Sequence, residues 1–393
     1  MGEWRETSLG DVLTLQRGFD ITKKMQRPGP VPIVSSSGIG SFHDEARAEG
    51  PGVVIGRKGS LGTAFFIDGP YWPHDTTLWV RDFKGNDPFF CYLLLKTLPL
   101  AGLDAGSSNP TLNRNHAHTL HVLVPGLESQ RRIVALLATF DELIEINERR
   151  IELLEDLARS LYREWFVRFR FPGHEDAMFV ESELGSLPEG WEARRLGDVA
   201  QVNRLTVRAA DLPDPLRYLD ISAVGPRSFS EAEVMNADSA PGRARRRAAD
   251  GDTLWATVRP NRRAHALVHA PPGDLIVSSG FAVLTPKHVP SSFLFEYSSS
   301  PVFTEYLVSC ATGSAYPAVR PGDFNAAPMV VPPRNLIAEF DRIADPALRA
   351  ITALAATSRQ LAATRDLVLP RLVTGRLDIS DIDLGDLLPA EAG

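Results

Sequence analysis

Residues 3–12 read EWRETSLGDV and residues 190–199 read GWEARRLGDV, so a Trp followed five residues later by Leu-Gly-Asp-Val occurs twice, 187 positions apart. Five fixed residues matching in one register point to a duplicated segment. A second pair extends it: GSSNPTLNR (106–114) and GSAYPAVRP (313–321) lie 207 positions apart. Each is followed by a short apolar run ending in proline, HVLVP at Pro125 and PMVVP at Pro332. The repeat is therefore a whole domain, twenty residues longer in its second copy. It is not a solenoid, because neither copy contains a shorter sub-repeat.

After each proline the apolar period changes from strand-like to helical. Ile133, Leu137, Phe140, Ile144, Asn147, Ile151, Leu154, Ala158, Leu161 and Trp165 follow an unbroken alternation of four-residue and three-residue steps. That is the seam of a paired helix, with charged residues filling its other faces. The equivalent positions in the second copy are Phe340, Ala344, Ala347, Ile351, Leu354, Ser358, Leu361, Arg365, Val368 and Leu372, a weaker seam in the same register. Asp345-Pro346 reads as a helix start, and Pro370 as a kink or end. Two helices with matching stripes most simply pair antiparallel; about 35 residues at roughly 1.5 Å each would span on the order of 50 Å.

A chain of 393 residues with 44% hydrophobic residues suits two globular domains. The expected division is 1–126 and 190–333 for the domains, 127–167 and 334–376 for the helices, 168–189 for a linker and 377–393 for an acidic tail. Two cysteines, Cys91 and Cys310, give no disulfide framework and read as core residues. The polar N-terminus and the lack of a long apolar run lead to the expectation of a soluble cytoplasmic protein. The net charge of −7 argues against nucleic acid, yet both domains are near neutral, and residues 243–263 hold seven arginines. Local fields, not the total, decide whether phosphate is attracted.

Within each domain, short β-rich runs are broken by Gly and Pro (VPIVSSSG, GVVIGRKGS, TTLWV; then DTLWATVRP, LIVSSGFAVL), with short helices at 88–98 and 301–310. The fold class is α+β, with an internal pseudo-two-fold repeat.

Catalytic motifs are missing. GVVIGRKGS fails as a phosphate loop, since Gly56 sits four residues after Gly52 and Gly59 separates Lys58 from Ser60. His116, His118 and His121 read as a strand whose alternation makes a poor metal cage, so no metal is expected. Asn109-Pro110 lacks the aromatic residue that an adenine methyltransferase would place after it.

What the loops do carry is hydrogen-bond donors. In the first copy these are Ser36 and His43 in a Gly-rich loop, Arg57 and Lys58 after a strand, and Asn113 and Arg114 after the GSSNP turn. The second copy offers Arg245 and Arg246, then Arg259, Asn261, Arg262 and Arg263, then Ser279, then Tyr316 and Arg320. Arg to guanine, Asn to adenine and Ser to phosphate are the pairings that groove reading requires. The competing reading of Arg262 or Arg320 is a surface ion pair, and that of RARRR (243–247) a solvated loop.

The duplicated layout, the LGDV starts, the GRKGSLG and GDTLWATVRPNRR loops, the SSGFAVL strand and the segments LYREWFVRFRFPG, SLPEGW and RDLVLPRLVTGRL resemble the specificity subunit of Type I restriction-modification systems. The resemblance implies two tandem α/β target-recognition domains separated by two long antiparallel coiled-coil helices. It implies double-stranded DNA as partner, each domain reading half of a bipartite asymmetric site. It also implies that two modification subunits carrying S-adenosylmethionine methylate adenine, and that ATP- and Mg-dependent restriction subunits join them. This chain would be non-catalytic and hold no cofactor. The alternative is a coiled-coil scaffold with two protein-binding domains. The family's recognition domains vary, so no single base contact carries over.

Overall fold

The computed structural model describes residues 4–103 and 110–379; residues 104–109, which open the GSSNP turn, and the acidic tail from 380 lie outside the described residues. The chain divides into two compact units, 1–146 with 357–393 and 147–356. These are not the sequence halves, because each unit takes part of both long helices.

In chain order the first unit begins with β1 (Arg5–Ser8), α1 (Leu9–Val12), β2 (Thr14–Arg17), β3 (Val31–Ser35), β4 (Gly38–His43) and β5 (Gly52–Gly56). It continues with β6 (Ala64–Ile67), β7 (Trp72–Pro73), β8 (Thr77–Asp82), α2 (Pro88–Thr97), α3 (Arg114–His118), β9 (His121–Val124) and the start of α4 (Leu127–Tyr162). β1 pairs antiparallel with β9, tying the first repeat motif to the apolar run before the helix. The LGDV motif is the single turn α1: Ser8 accepts from the Asp11 N–H, and Leu9 and Val12 are buried. The main sheet runs β2-β8-β5-β6, all antiparallel, and a second runs β4-β3-β7. β5, GVVIG, is buried along its whole length, as a β-branched run in a central strand should be. α2 starts where Asp87 accepts from the Phe90 N–H and Pro88 occupies the first turn.

The second unit holds the rest of α4, β10 (Phe179–Ser182), β11 (Gly185–Pro188), β12 (Glu192–Arg195), α5 (Leu196–Val199), β13 (Ala200–Val202), β14 (Leu216–Leu219), β15 (Val224–Gly225) and β16 (Ser228–Phe229). β17 (Glu233–Met235), β18 (Ala244–Arg247), β19 (Thr253–Ala256), β20 (His265–Leu267), β21 (Leu275–Ser278) and β22 (Phe281–Pro286) follow. α6 (Ser291–Ser298), α7 (Pro301–Cys310), α8 (Pro321–Ala326), β23 (Pro328–Val331) and the start of α9 (Arg334–Val373) complete it. The main sheet order, β13-β22-β19-β20, repeats the first unit strand for strand, and β12 pairs with β23 as β1 does with β9. The second sheet, β17-β14-β21-β18, repeats β4-β3-β7 and adds one strand. That strand, β18, and the β15–β16 hairpin lie between β14 and β19, the segment where most of the extra length of the second copy falls.

Every seam position named above is buried or half-buried, and none is exposed. Within the first unit, Ile133 and Leu137 of α4 join Leu372 and Val373 of α9 in the core, and Arg365 of α9 pairs with Asp141 of α4. Within the second, Tyr162 of α4 lies 6.1 Å from Phe340 of α9, and Ala158 shares a cluster with Leu348. Low numbers on one helix meet high numbers on the other in both units, so the pairing is antiparallel.

Several local expectations need correction. α9 does not start at Asp345-Pro346 and does not stop at Pro370 but runs from Arg334 to Val373. Both prolines are exposed, so water can take the place of the lost helical hydrogen bond. α4 ends at Tyr162, and the expected extension to 167 is a π turn over Arg163–Val167. The linker contains the β10–β11 hairpin. RARRR is strand β18, paired to β21 with a bulge between Ala244 and Arg246, and is not a loop. Cys91 is buried and Cys310 half-buried. No helix among the described residues is long and apolar enough to cross a membrane.

Candidate nucleic-acid interface

In the first unit the loop donors converge on Thr76. Its carbonyl accepts from the backbone N–H of Arg57 at 2.9 Å and of Lys58 at 3.1 Å, and its hydroxyl accepts from the Ser36 N–H at 3.3 Å. The Arg57 carbonyl accepts from the Leu112 N–H at 2.9 Å, and Lys58 bridges Thr111. Ser36, Arg57 and Lys58 are thereby brought together with Asn113, which caps α3 by accepting from the Asn115 N–H at 2.9 Å, and with exposed Arg114. Among the described residues no carboxylate pairs with Arg57, Lys58 or Arg114.

His43 does not belong to this group. The Gly-rich segment is the β3–β4 hairpin, and His43 ends β4 buried, its ring 5.0 Å from Trp72. Its Nδ1 accepts from the Glu45 N–H at 2.9 Å, which leaves Nε2 to donate to the Met25 carbonyl at 3.2 Å. His116 and His118 lie on helix α3, not on a strand, and His118 Nε2 accepts from the Leu15 N–H at 2.9 Å. Burial, then Arg114 and Lys84, hold the His118 imidazole below its ordinary range, which suits that accepting role. Among the described residues no three His, Cys, Asp or Glu side chains gather into a metal site.

The second unit repeats this backbone geometry with other side chains. The Thr257 N–H donates to the Gly280 carbonyl at 2.8 Å, its hydroxyl donates to the same oxygen at 2.9 Å, and its own carbonyl accepts from the Val319 N–H at 2.9 Å. Val258 bridges Ala318 as Lys58 bridges Thr111. Thr257 thus stands where Arg57 does, Gly280 where Thr76 does, and Arg320 where Asn113 does, each of the last pair beginning a short helix.

By the same register Gly59, at φ +75°, corresponds to Arg259, at φ +53°. A left-handed backbone suits glycine and costs other residues on the order of 1–3 kcal/mol. The Arg259 N–H donates to the Pro317 carbonyl at 2.7 Å, and its guanidinium lies 4.5 Å over the ring of Tyr316, which is 69% exposed. Asn261, Arg262, Ser279 and Arg320 are also exposed. No carboxylate among the described residues pairs with Arg259, Arg262 or Arg320 through its side chain.

Three arginines of this unit are otherwise engaged. Arg263 donates to the Ser299 carbonyl at 2.6 Å, and Arg245 to the Ala244 carbonyl at 2.7 Å. Arg246 is half-buried and bonds the Asn203 side chain and the Phe281 carbonyl, so it braces the domain rather than facing a ligand. Burial holds its pKa below the usual arginine value. The residues missed from sequence are Thr76, Thr257 and Gly280, whose backbone bonds organise the loops; only the repeat register could have exposed them.

The family described as "Type I restriction modification DNA specificity domain" matches residues 1–156. The Type I restriction enzyme MjaIX specificity subunit of Methanocaldococcus jannaschii is 22% identical over 321 residues, 75% of this chain and 70% of that protein. The MjaVIII specificity subunit of the same organism is 29% identical over 113 residues, 29% of this chain and 26% of that one. In fold, the crystal structure of the Type-I restriction-modification S subunit from M. genitalium matches with a TM-score of 0.65 at 13% identity, covering 94% of this chain and 96% of the other. The family match covers the first copy, the longer alignment runs through most of the chain, and the second unit repeats the sheet order of the first. The first copy thus matches the family's DNA specificity domain, and the chain is similar over most of its length to Type I restriction-modification specificity subunits.

Proposed function

We propose that this subunit reads a bipartite, asymmetric DNA site, each unit contacting one half through the loops gathered at Thr76 and at Gly280. The observation that carries the reading is the repeat of one backbone arrangement with different side chains on it. Arg57, Lys58, Asn113 and Arg114 stand on one copy, and Arg259, Asn261, Arg262 and Arg320 on the other. One scaffold with two donor sets reads two different sequences, which makes the site asymmetric. A base pair is discriminated by about 1–3 kcal/mol, so a unit touching a few pairs gains limited selectivity, and two units joined in one chain add their readings.

The chain serves as the recognition component, and catalysis belongs to its partners. Modification subunits, one for each copy of the repeat, hold S-adenosylmethionine and methylate adenine; restriction subunits use ATP and Mg. The near-neutral units leave much of the sequence-independent phosphate attraction to those partners. The scaffold alternative draws no support from the specificity-domain match or from the relatives named above.

The test is methylation-aware sequencing of cells that express the modification subunit with and without this chain. The reading predicts methylated adenines in a split motif of constant gap that disappears with the chain. The same motif persisting without the chain would overturn it.

A further inference from the structure

The structure assigns a specific task to one side chain: we propose that Arg259, held over the ring of Tyr316, reads a guanine in the half-site contacted by the second unit. This rests on the DNA-reading function above.

The loop that carries Arg259 is built on the same frame as the loop that carries Gly59, and both positions take up a left-handed backbone. The first unit meets that requirement with the residue that has no Cβ. The second holds an arginine there against its conformational preference, so the side chain does not serve the turn itself. A residue held in an unfavourable backbone region is a reason to look for a function at that point.

What surrounds the side chain indicates its task. The guanidinium lies 4.5 Å over the Tyr316 ring, and one of its amino groups donates to the Ala315 carbonyl at 3.4 Å. The ring and the carbonyl together restrict where the guanidinium can sit. The remaining N–H groups find no partner among the described residues, and no carboxylate neutralises the charge. A guanidinium held over an exposed ring, with N–H groups to spare and no carboxylate partner, matches the O6 and N7 acceptors that guanine displays in the major groove. An arginine that served only phosphate would need charge but neither the ring beneath it nor the strained backbone that places it there.

The experiment uses the full-length chain assembled with its modification subunits, acting on a DNA library randomised across the target; methylated molecules are sequenced to give the base preference at each position. Arg259→Gly suits the backbone and should fold at least as well as the parent, while preference for guanine at one position of one half falls about 10- to 100-fold, the other half unchanged. Arg259→Lys keeps the charge and should lose the same preference. Tyr316→Phe keeps the ring and should retain it, whereas Tyr316→Ala should weaken it. Should Arg259→Gly leave every base preference intact, or lower methylation of all sequences equally, the assignment is wrong although the chain still reads DNA. A parent complex with no base preference would instead overturn the DNA-reading function itself.

Discussion

The two units share a sheet order and a loop frame but are held together differently where the long helices enter. In the first unit the helix segments meet the domain through aliphatic residues, with Ile133, Leu137, Leu372 and Val373 in one core. In the second the junction is aromatic: Phe166 lies 4.9 Å from Phe293 and 5.1 Å from Phe340, with Tyr162, Trp165 and Trp191 around them. The second unit also buries an ion pair that has no equivalent among the described residues of the first. Arg227 and Glu296 are 2.6 Å apart with side chains 7% and 1% exposed, the guanidinium 4.5 Å over Phe295 and within 3.7 Å of Glu155 on α4. The difference teaches that duplication preserves the backbone frame, whereas each copy fixes its helices with its own chemistry.

That contrast can be broken by mutation, the largest effect coming first. Glu296→Ala leaves the buried Arg227 charge with only the more distant Glu155, at 3.7 Å, and should cost about 3–5 kcal/mol in chemical denaturation. Phe340→Ala should remove about 3–5 kcal/mol from the aromatic junction, and Leu137→Ala about 2–5 kcal/mol from the aliphatic one. Equal losses at both junctions would show that the aromatic cluster adds nothing beyond area.

A pH titration sharpens the same comparison. His265 stacks on Trp255, 4.9 Å away, with Nδ1 donating to the Arg263 carbonyl at 2.6 Å and Nε2 accepting from the Ser299 hydroxyl at 2.9 Å. Burial, aided by Arg227 and Arg263, pulls its pKa down to about 3 against the bond to Arg263. The unfolded chain takes up this proton near pH 6.5, long before the folded one does. The contribution of His265 is therefore complete above about pH 6.5 and is lost as pH falls toward 3, by at most about 1.4 kcal/mol per pH unit. His265→Asn should flatten that part of the stability profile; an unchanged slope would place the titration elsewhere.

The smallest expected effect lies at the paired LGDV turns. Ser8 caps α1 with its side chain, whereas Arg195 begins α5 with no side-chain oxygen to offer. Ser8→Ala should cost about 1 kcal/mol, and Arg195→Ser should recover a similar amount, both read from thermal melts.

The repeat and the two helices were legible in the sequence because both are local signals: a fixed offset and an apolar period. β18 was not, since a run of arginines gives no apolar alternation, and its strand character depends on pairing with β21. The continuity of α9 through Pro346 and Pro370 depends on which face of the helix meets solvent. At the candidate site, residue types were readable but their employment was not. Arg246 and Arg262 look alike in sequence, yet one is braced inside the domain and the other is exposed. His43 could be told from a loop donor only by the register of its hairpin, which places it against Trp72.

The most direct test of the central claim compares two loop variants of the same complex by methylation-aware sequencing: Arg57→Ala with Lys58→Ala in the first unit, and Arg259→Gly with Arg262→Ala in the second. Each variant should relax base preference in one half of the methylated motif, a different half for each, and leave the gap between halves unchanged. Both variants altering the same bases, or neither altering any, would contradict the account.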